Sequence, residues 1–257
     1  MRPEDLIKEE RPILWIPVGV VGAGKTTFAL RLWKLAPHSF LRVSLDDIIQ
    51  MMSFYGYQKH LSFLYGSLEE TSILKGITRG YQVYVDRTNL TRDIRERFIN
   101  IVKKIESLAG ETLKIWESAS EAGIDPREEV ALYLSQSTEE PEFGFESELK
   151  GCLKEILVGP SYPTLLPEPT SREDPREHLL NLTRVEKVVI YFEIDPDLAL
   201  KRRLKDPYAP LREVTGRKID WEEVLQKMLS YLTIPRKDEG FTHGFKITPD
   251  GTTENMW

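Results

Sequence analysis

Short apolar runs alternate with helical patterns along most of the chain. Runs that are apolar at consecutive positions predict buried parallel strands at residues 13–20, 40–45, 82–86 and 185–194, and a shorter run predicts a final strand at 245–248. Apolar positions at helical spacing predict helices between these strands, at 26–36, 91–108, 196–205 and 220–232, and a helical region at 48–80 with breaks near Gly56 and Gly66. Strands that alternate with helices predict an α/β fold, in which a parallel sheet is flanked by helices.

Residues 110–183 interrupt this alternation. They contain sixteen acidic and six basic side chains, and five prolines in their second half rule out regular helix or sheet there. Two amphipathic patterns within them predict helices at 128–136 and 146–157. We therefore interpret 110–183 as an acidic, partly helical insertion with a proline-rich connector, and 1–109 together with 184–257 as the core.

Composition excludes several classes of protein. No stretch is apolar over the roughly 18 residues that a membrane-spanning helix needs, and the charged N-terminal segment differs from a secretory signal. Cys152 is the only cysteine, so no internal disulfide forms. We expect a soluble cytoplasmic protein. Abundant Glu, Lys and Arg beside few Asn and Gln are typical of a thermophilic source.

One motif is specific for nucleotide phosphates. Gly19–Thr26 reads Gly, four residues, then Gly-Lys-Thr, and it leaves an apolar strand and opens a helix. Such a loop surrounds phosphates with backbone amides at the positive end of a helix dipole. Lys25 is expected to bridge the β- and γ-phosphates of ATP or GTP, and the Thr26 hydroxyl to bind Mg²⁺. The predicted nucleotide-binding residues of the loop are Gly22, Ala23, Gly24, Lys25, Thr26 and Thr27.

Acidic residues follow two other predicted strands at the edge where open α/β sheets bind ligands. Asp46 and Asp47 end the second strand, and we favour Asp46 as the base for an acceptor hydroxyl and Asp47 as a helix cap. Asp86 ends the third strand and is the predicted second magnesium residue. Arg87 and Asn89 follow it as candidates for substrate binding, although the same residues suit a strand-to-helix turn.

Two further features are less specific. Arg202 and Arg203 lie on the helix after the last long strand, where one of them could neutralise the γ-phosphate; a solvated basic face is the alternative. Aromatic residues cluster between positions 54 and 65, and we expect most of them to pack in a helical core, with base stacking as the other option.

These residues together resemble the kinase domain of the phage-type 5′-hydroxyl polynucleotide kinases and the archaeal seryl-tRNA kinases. The resemblance implies that Asp46 activates the acceptor hydroxyl and that Arg202 is the lid arginine. The chain departs from the usual pattern at Ile49, where an arginine that binds acceptor phosphate is expected, and at Arg87, which interrupts Asp-Thr-Asn. The shared elements are 19–27, 44–47, 85–90 with Arg92, 200–203 and the tail 231–241.

The sequence therefore predicts a Mg²⁺-dependent kinase that moves the γ-phosphate of ATP or GTP to a hydroxyl, with an RNA or DNA 5′-end as the leading acceptor. Seryl-tRNA or a small metabolite is the alternative acceptor. A nucleotide-binding regulatory module without an acceptor is the alternative class. The chain lacks the Asn-Lys-x-Asp motif, which argues against a conventional GTPase.

Overall fold

The computed structural model describes residues 2–9, 11–54, 56–136, 144–158, 174–206 and 219–257. Six strands form one sheet in the order β2-β3-β1-β4-β5-β6, and all neighbours are parallel except the pair β5 and β6. Their bounds are β1 Ile13–Val18, β2 Phe40–Ser44, β3 Gln82–Asp86, β4 Glu186–Phe192, β5 His243–Ile247 and β6 Thr253–Asn255. The predicted α/β class and the parallel sheet flanked by helices are confirmed.

Ten α-helices lie in the described part of the chain. They are α1 Pro3–Leu6, α2 Lys25–Leu35, α3 Leu45–Ser53, α4 Ser62–Thr78, α5 Arg92–Glu121, α6 Pro126–Ser135, α7 Phe145–Leu157, α8 Pro175–Leu182, α9 Pro196–Leu204 and α10 Trp221–Tyr231. Short 3₁₀ turns occupy Lys59–Leu61 and Lys237–Glu239. None of the described helices combines the length and apolar composition that crossing a bilayer requires.

The central strands β1 and β3 are buried at every position, and apolar side chains of helices pack against both faces of the sheet. One cluster joins Leu14 and Val85 to apolar side chains of α4 and α5, and a second joins Trp15 and Tyr84 to α2. Pro17, which cannot donate a ladder hydrogen bond, lies beyond the last β1 residue that is in register with β3. The buried strand β1 thus gives rigid support to the loop that follows it.

Several predicted boundaries change. The helical region predicted over 48–80 consists of two helices, α3 and α4, and the predicted break near Gly56 lies between them. The predicted break near Gly66 is wrong, because α4 continues through this residue. Helix α5 continues to Glu121 and so passes through the predicted domain boundary at residue 110. Apolar side chains of α6 and α7 belong to the same buried cluster as β1. The division into core and insertion stays a prediction.

Two elements of the C-terminal half were not predicted. Helix α8 begins at Pro175, a residue that we expected to prevent regular structure; proline is compatible with a first helical turn, and Asp174 caps the helix by accepting from the amides of Arg176 and Glu177. Strand β6 adds an antiparallel edge to β5. Most of the predicted proline-rich connector lies outside the described residues.

Candidate active site

The phosphate-binding loop connects β1 to α2. Gly24 precedes α2 with a φ of 97°, and Gly22 has a φ of 77°; both values lie in the left-handed region that glycine adopts readily. A Cβ atom on Gly22 would lie 2.4 Å from the carbonyl oxygen of Ala199 in α9. The glycines therefore permit the turn and also the close approach of α9, the helix that carries Arg202 and Arg203.

Lys25, the first residue of α2, is buried inside this loop. Its Nζ donates to the carbonyl oxygens of Gly19 at 2.8 Å and Val20 at 2.7 Å. Burial lowers the pKa of Lys25 to about 8, although the negative charges of Asp86 and Asp46 oppose this shift. A buried ammonium whose hydrogen-bond partners are neutral carbonyls is well suited to a phosphate anion.

Thr26 and Asp86 meet at the C-terminal edge of the sheet. The Thr26 hydroxyl donates to Asp86 Oδ2 at 2.9 Å, and Asp86 is 8% exposed at the end of β3. Hydroxyl and carboxylate oxygens are the ligands that Mg²⁺ prefers. The two residues therefore fit the predicted magnesium site.

Arg42 is a member of the site that the sequence did not indicate. Its Nε donates to Asp86 Oδ2 at 2.6 Å, and its guanidinium also forms an ion pair with Asp47. Burial works against the charge of Arg42, but Asp86 and Asp47 outweigh it and raise the pKa of Arg42. The signal in the sequence was the alternation along β2, which places Arg42 on the same face as Ser44, the register partner of Asp86.

Asp46 and Asp47 lie in the first turn of α3. The N-cap of this helix is Ser44, whose hydroxyl accepts from the amide of Asp47 at 3.3 Å. The predicted capping role of Asp47 is therefore wrong, because the hydroxyl of Ser44 already satisfies that amide. Asp46 is exposed at the start of the helix and, like Asp47, lines the cavity described below.

Arg87 follows β3 and is held by a buried glutamate. Its guanidinium donates to Glu69 Oε2 at 2.8 Å, and Glu69, on α4, is fully buried. Burial raises the pKa of Glu69, and the positive charges of Arg87 and Arg97 offset this shift only in part. Arg87 lines the cavity, and its bond to Glu69 fixes the orientation of its side chain.

Asn89 does not reach the cavity, which corrects its assignment as a substrate-binding residue. The residue is 1% exposed and has a φ of 48°. Its side-chain amide donates to the carbonyl oxygens of Pro17 at 2.8 Å and Val85 at 3.1 Å. Asn89 therefore ties the end of β1 to the end of β3 and acts on the site through the position of the loop.

Arg202 and Arg203 approach the loop from α9 in different ways. Arg202 is exposed, and its guanidinium lies 3.4 Å from the carbonyl oxygen of Gly22, to which it donates. Arg203 is 7% exposed, stacks at 4.0 Å over the ring of Trp221 and pairs with Asp206. Three further basic residues that follow α9 in the sequence, Arg212, Arg217 and Lys218, lie outside the described residues.

A cavity of about 1310 Å³ joins these groups. Its walls come from the phosphate-binding loop, from the C-terminal ends of β2 and β3 and from α9. Every predicted site residue except Asn89 lines it, namely Gly22, Ala23, Gly24, Lys25, Thr26, Thr27, Asp46, Asp47, Asp86, Arg87, Arg202 and Arg203.

A buried ion pair joins α5 to the tail 231–241. Arg95 on α5 binds both carboxylate oxygens of Glu239, at 2.7 and 2.8 Å, and neither side chain is more than 2% exposed. Arg95 also donates to the carbonyl oxygens of Asn89, Leu90 and Thr233. The C-terminal segment thus fixes the turn that follows Arg87.

Comparison with known families agrees with this geometry. Residues 14–129 match the family described as an AAA domain, a P-loop NTPase family that includes kinases. No curated protein matches the chain significantly. The matched region is slightly less than half of the chain; it contains the phosphate-binding loop, Asp46, Asp86 and Arg87 but not the two arginines of α9. The match is consistent with a P-loop NTPase-type α/β fold, and the matched domain suggests nucleotide binding and a kinase-like activity.

Proposed function

We propose that this protein is a Mg²⁺-dependent kinase that transfers the γ-phosphate of ATP or GTP to a hydroxyl group, with the 5′-hydroxyl end of a polynucleotide as the leading acceptor. One observation carries the proposal: Lys25 and Asp46 line the same cavity, close enough for the charge of Asp46, after that of Asp86, to oppose the lowering of the Lys25 pKa by burial. A phosphate-binding ammonium and a carboxylate able to take a proton are the two groups that hydroxyl phosphorylation needs.

The nucleotide end of the cavity is formed by the loop and α2. The ammonium of Lys25 exchanges the carbonyl oxygens of Gly19 and Val20 for β- and γ-phosphate oxygens, which bind it more strongly because they are charged. Thr26 and Asp86 would hold Mg²⁺, which supplies Lewis-acid charge neutralisation at the phosphates when it is bound. Arg202, already beside Gly22, adds a second positive charge from α9.

Transfer is a displacement at the γ-phosphorus. The acceptor hydroxyl gives its proton to the carboxylate of Asp46 as its oxygen forms the new bond to phosphorus. The bond from phosphorus to the β,γ-bridging oxygen breaks, and the nucleoside diphosphate leaves with those electrons. Lys25 and Arg202 stabilise the charge that develops on the transferred group and the leaving oxygen.

The acceptor is proposed from the resemblance together with the charge at the other end of the cavity. Ile49 stands where an acceptor-binding arginine is usual, and it is 8% exposed. Arg87 lines the cavity and is held in place by Glu69, so it can supply the missing positive charge to a phosphate next to the reacting hydroxyl.

A radiolabelled-nucleotide screen tests the proposal. The full chain is incubated with Mg²⁺ and γ-labelled ATP or GTP, and with 5′-hydroxyl RNA, 5′-hydroxyl DNA, seryl-tRNA and a metabolite pool as separate acceptors. We expect label in the 5′-hydroxyl polynucleotide and none with Lys25→Ala. Label in seryl-tRNA or a metabolite alone would support the kinase activity but contradict the polynucleotide acceptor. Nucleotide binding without label in any acceptor would support the regulatory module instead.

A further inference from the structure

Among the described residues of α3, α4 and the segment between them, five large apolar side chains are exposed. They form what we call the α3–α4 patch, which consists of Met51, Phe54, Tyr57, Phe63 and Leu64. Phe54 and Phe63 are 84% and 85% exposed. The sequence predicted that most aromatics here pack in a core; Tyr65 does so, whereas Phe54, Tyr57 and Phe63 do not. Exposed apolar side chains grouped in this way are typical of an interaction surface.

The patch stands on an ordered base. The hydroxyls of Ser53 and Tyr65 share a 2.5 Å hydrogen bond, and the rings of Tyr57 and Tyr65 lie 5.7 Å apart. Phe54 ends α3 with a φ of 47°, a left-handed conformation that is unfavourable for a bulky side chain. Because its side chain is also exposed, fold stability does not account for an aromatic residue at this position.

The patch continues directly from the acceptor end of the cavity. Asp46, Asp47 and Gln50 line that cavity from the first turns of α3. Met51 is one turn beyond Asp47 on the same face of α3, about 6 Å along the axis, and Phe54 directly follows the last residue of this helix. A chain that leaves the cavity after presenting its hydroxyl to Asp46 meets the patch within its first few units.

The charge of this segment matches an anionic chain. The protein has about one acidic residue in every six, yet residues 48–68 contain none. Lys59 and His60 are exposed within the same segment, between Tyr57 and Phe63. Aromatic rings interleaved with positive charge are the features by which proteins bind single-stranded nucleic acid, with bases on the rings and phosphates near the cations.

We propose that the α3–α4 patch binds the bases of a single-stranded polynucleotide acceptor just 3′ of the hydroxyl that is phosphorylated. The inference rests on the proposed function and specifies its substrate, a flexible strand whose bases are unpaired. The patch sets affinity for the strand, whereas Asp46 and Lys25 carry out the transfer.

Variants of the two most exposed rings test this. Phe54→Ala and Phe63→Ala are compared with Trp33→Ala, which removes an exposed ring from the C-terminal half of α2. The acceptors are a 5′-hydroxyl single-stranded oligonucleotide and a nucleoside 3′-monophosphate, which offers the hydroxyl and one phosphate without a second base. We expect each patch variant to raise the KM for the oligonucleotide about tenfold. The KM for ATP, kcat and the KM for the mononucleotide should stay unchanged, as should all values for Trp33→Ala.

The outcomes separate this inference from the function on which it rests. Transfer to the oligonucleotide with an unaltered KM in both patch variants overturns the inference and leaves the kinase intact. If the wild-type chain labels no oligonucleotide, fluorescence anisotropy of the same strand decides: weaker binding by the patch variants supports the surface, and equal or absent binding overturns it. If the wild type sediments as a dimer and the patch variants sediment as monomers with an unaltered KM, the surface mediates self-association. That result also overturns the inference.

Discussion

Asp86 Oδ2 accepts hydrogen bonds from both Thr26 Oγ1 and Arg42 Nε, at 2.9 and 2.6 Å. One carboxylate oxygen therefore links the phosphate-binding loop to an arginine of β2. Through Arg42 the link extends to Asp47, which lines the cavity from the first turn of α3. The phosphate-binding loop, β2, β3 and α3 thus share a charge network.

Removal of Arg42 should strengthen magnesium binding. The guanidinium places a positive charge beside the carboxylate that we assign to Mg²⁺, and at this range one charge contributes on the order of 1 kcal/mol even in a high-dielectric environment. We expect Arg42→Ala to lower the Mg²⁺ concentration that gives half-maximal nucleotide binding by about fivefold. Titration of Mg²⁺ at a fixed nucleotide concentration measures this requirement. The control is Arg31→Ala, which removes an exposed arginine that also lines the cavity but is paired with Glu4. A higher Mg²⁺ requirement would contradict this assignment.

Nucleotide affinity should fall as the pH rises above about 8. Burial lowers the pKa of Lys25 to about 8 in the nucleotide-free protein, whereas neighbouring phosphates favour the charged form and raise it. Below that pH the lysine is already protonated and binding takes up no proton there. Above it, binding takes up one proton, so Kd should rise by up to about tenfold per pH unit. Calorimetry in two buffers of different ionisation enthalpy counts the protons, and Lys25→Arg, whose charge does not titrate, should bind without this uptake.

Glu239→Gln should destabilise the fold strongly. The substitution removes the charged partner of Arg95, which is fully buried, and breaking a buried pair from one side costs about 3–5 kcal/mol. The matched control is Asp238→Asn, next in sequence, whose exposed partner is Arg92 and whose loss should change little. Urea unfolding of the two variants measures the difference. Equal midpoints would show that the buried pair adds nothing beyond the exposed one.

Arg87→Ala should weaken acceptor binding selectively. The arginine lines the cavity and is paired with Glu69. If it binds an acceptor phosphate as proposed, its loss removes a charge-assisted contact and should raise the acceptor KM about tenfold. Arg97 is the control, since it also lies over the ring of Phe98 but pairs with Glu70 and does not line the cavity. Steady-state kinetics with varied acceptor and with varied ATP separates the two KM values. An effect on the KM for ATP alone would show that Arg87 contributes to nucleotide binding and not to acceptor binding.

The sequence predicted those parts of the site that depend on local order. The apolar run of β1, the glycine spacing and the helix after it define the phosphate-binding loop without any knowledge of the other strands. Asp46 and Asp86 could be placed at one sheet edge because parallel strands end on the same side. The capping role of Ser44 also depends on local sequence, but we assigned it to Asp47 because aspartate is equally common at this position.

What the sequence could not predict depends on pairs that are distant along the chain. Arg42 reaches Asp86 only because β2 and β3 are neighbours in the sheet, and Arg95 meets Glu239 across 144 residues. The role of Asn89 depends on the carbonyl of Pro17, which the sheet order brings beside it. The sequence predicted a break near Gly56, but the exposure of Phe54 and Phe63 on either side of it depends on tertiary packing that the apolar pattern does not reveal.

Single-turnover transfer by Asp46→Asn tests the central claim most directly. The amide keeps the shape of the side chain but cannot take the acceptor proton, and Asp47→Asn is the neighbouring control that leaves this group in place. We predict that Asp46→Asn binds ATP as tightly as the wild type and transfers its γ-phosphate to the acceptor at least about a hundredfold more slowly, while Asp47→Asn retains most of the rate. Transfer at the wild-type rate by Asp46→Asn would contradict the assignment of the base and with it the proposed chemistry of this cavity.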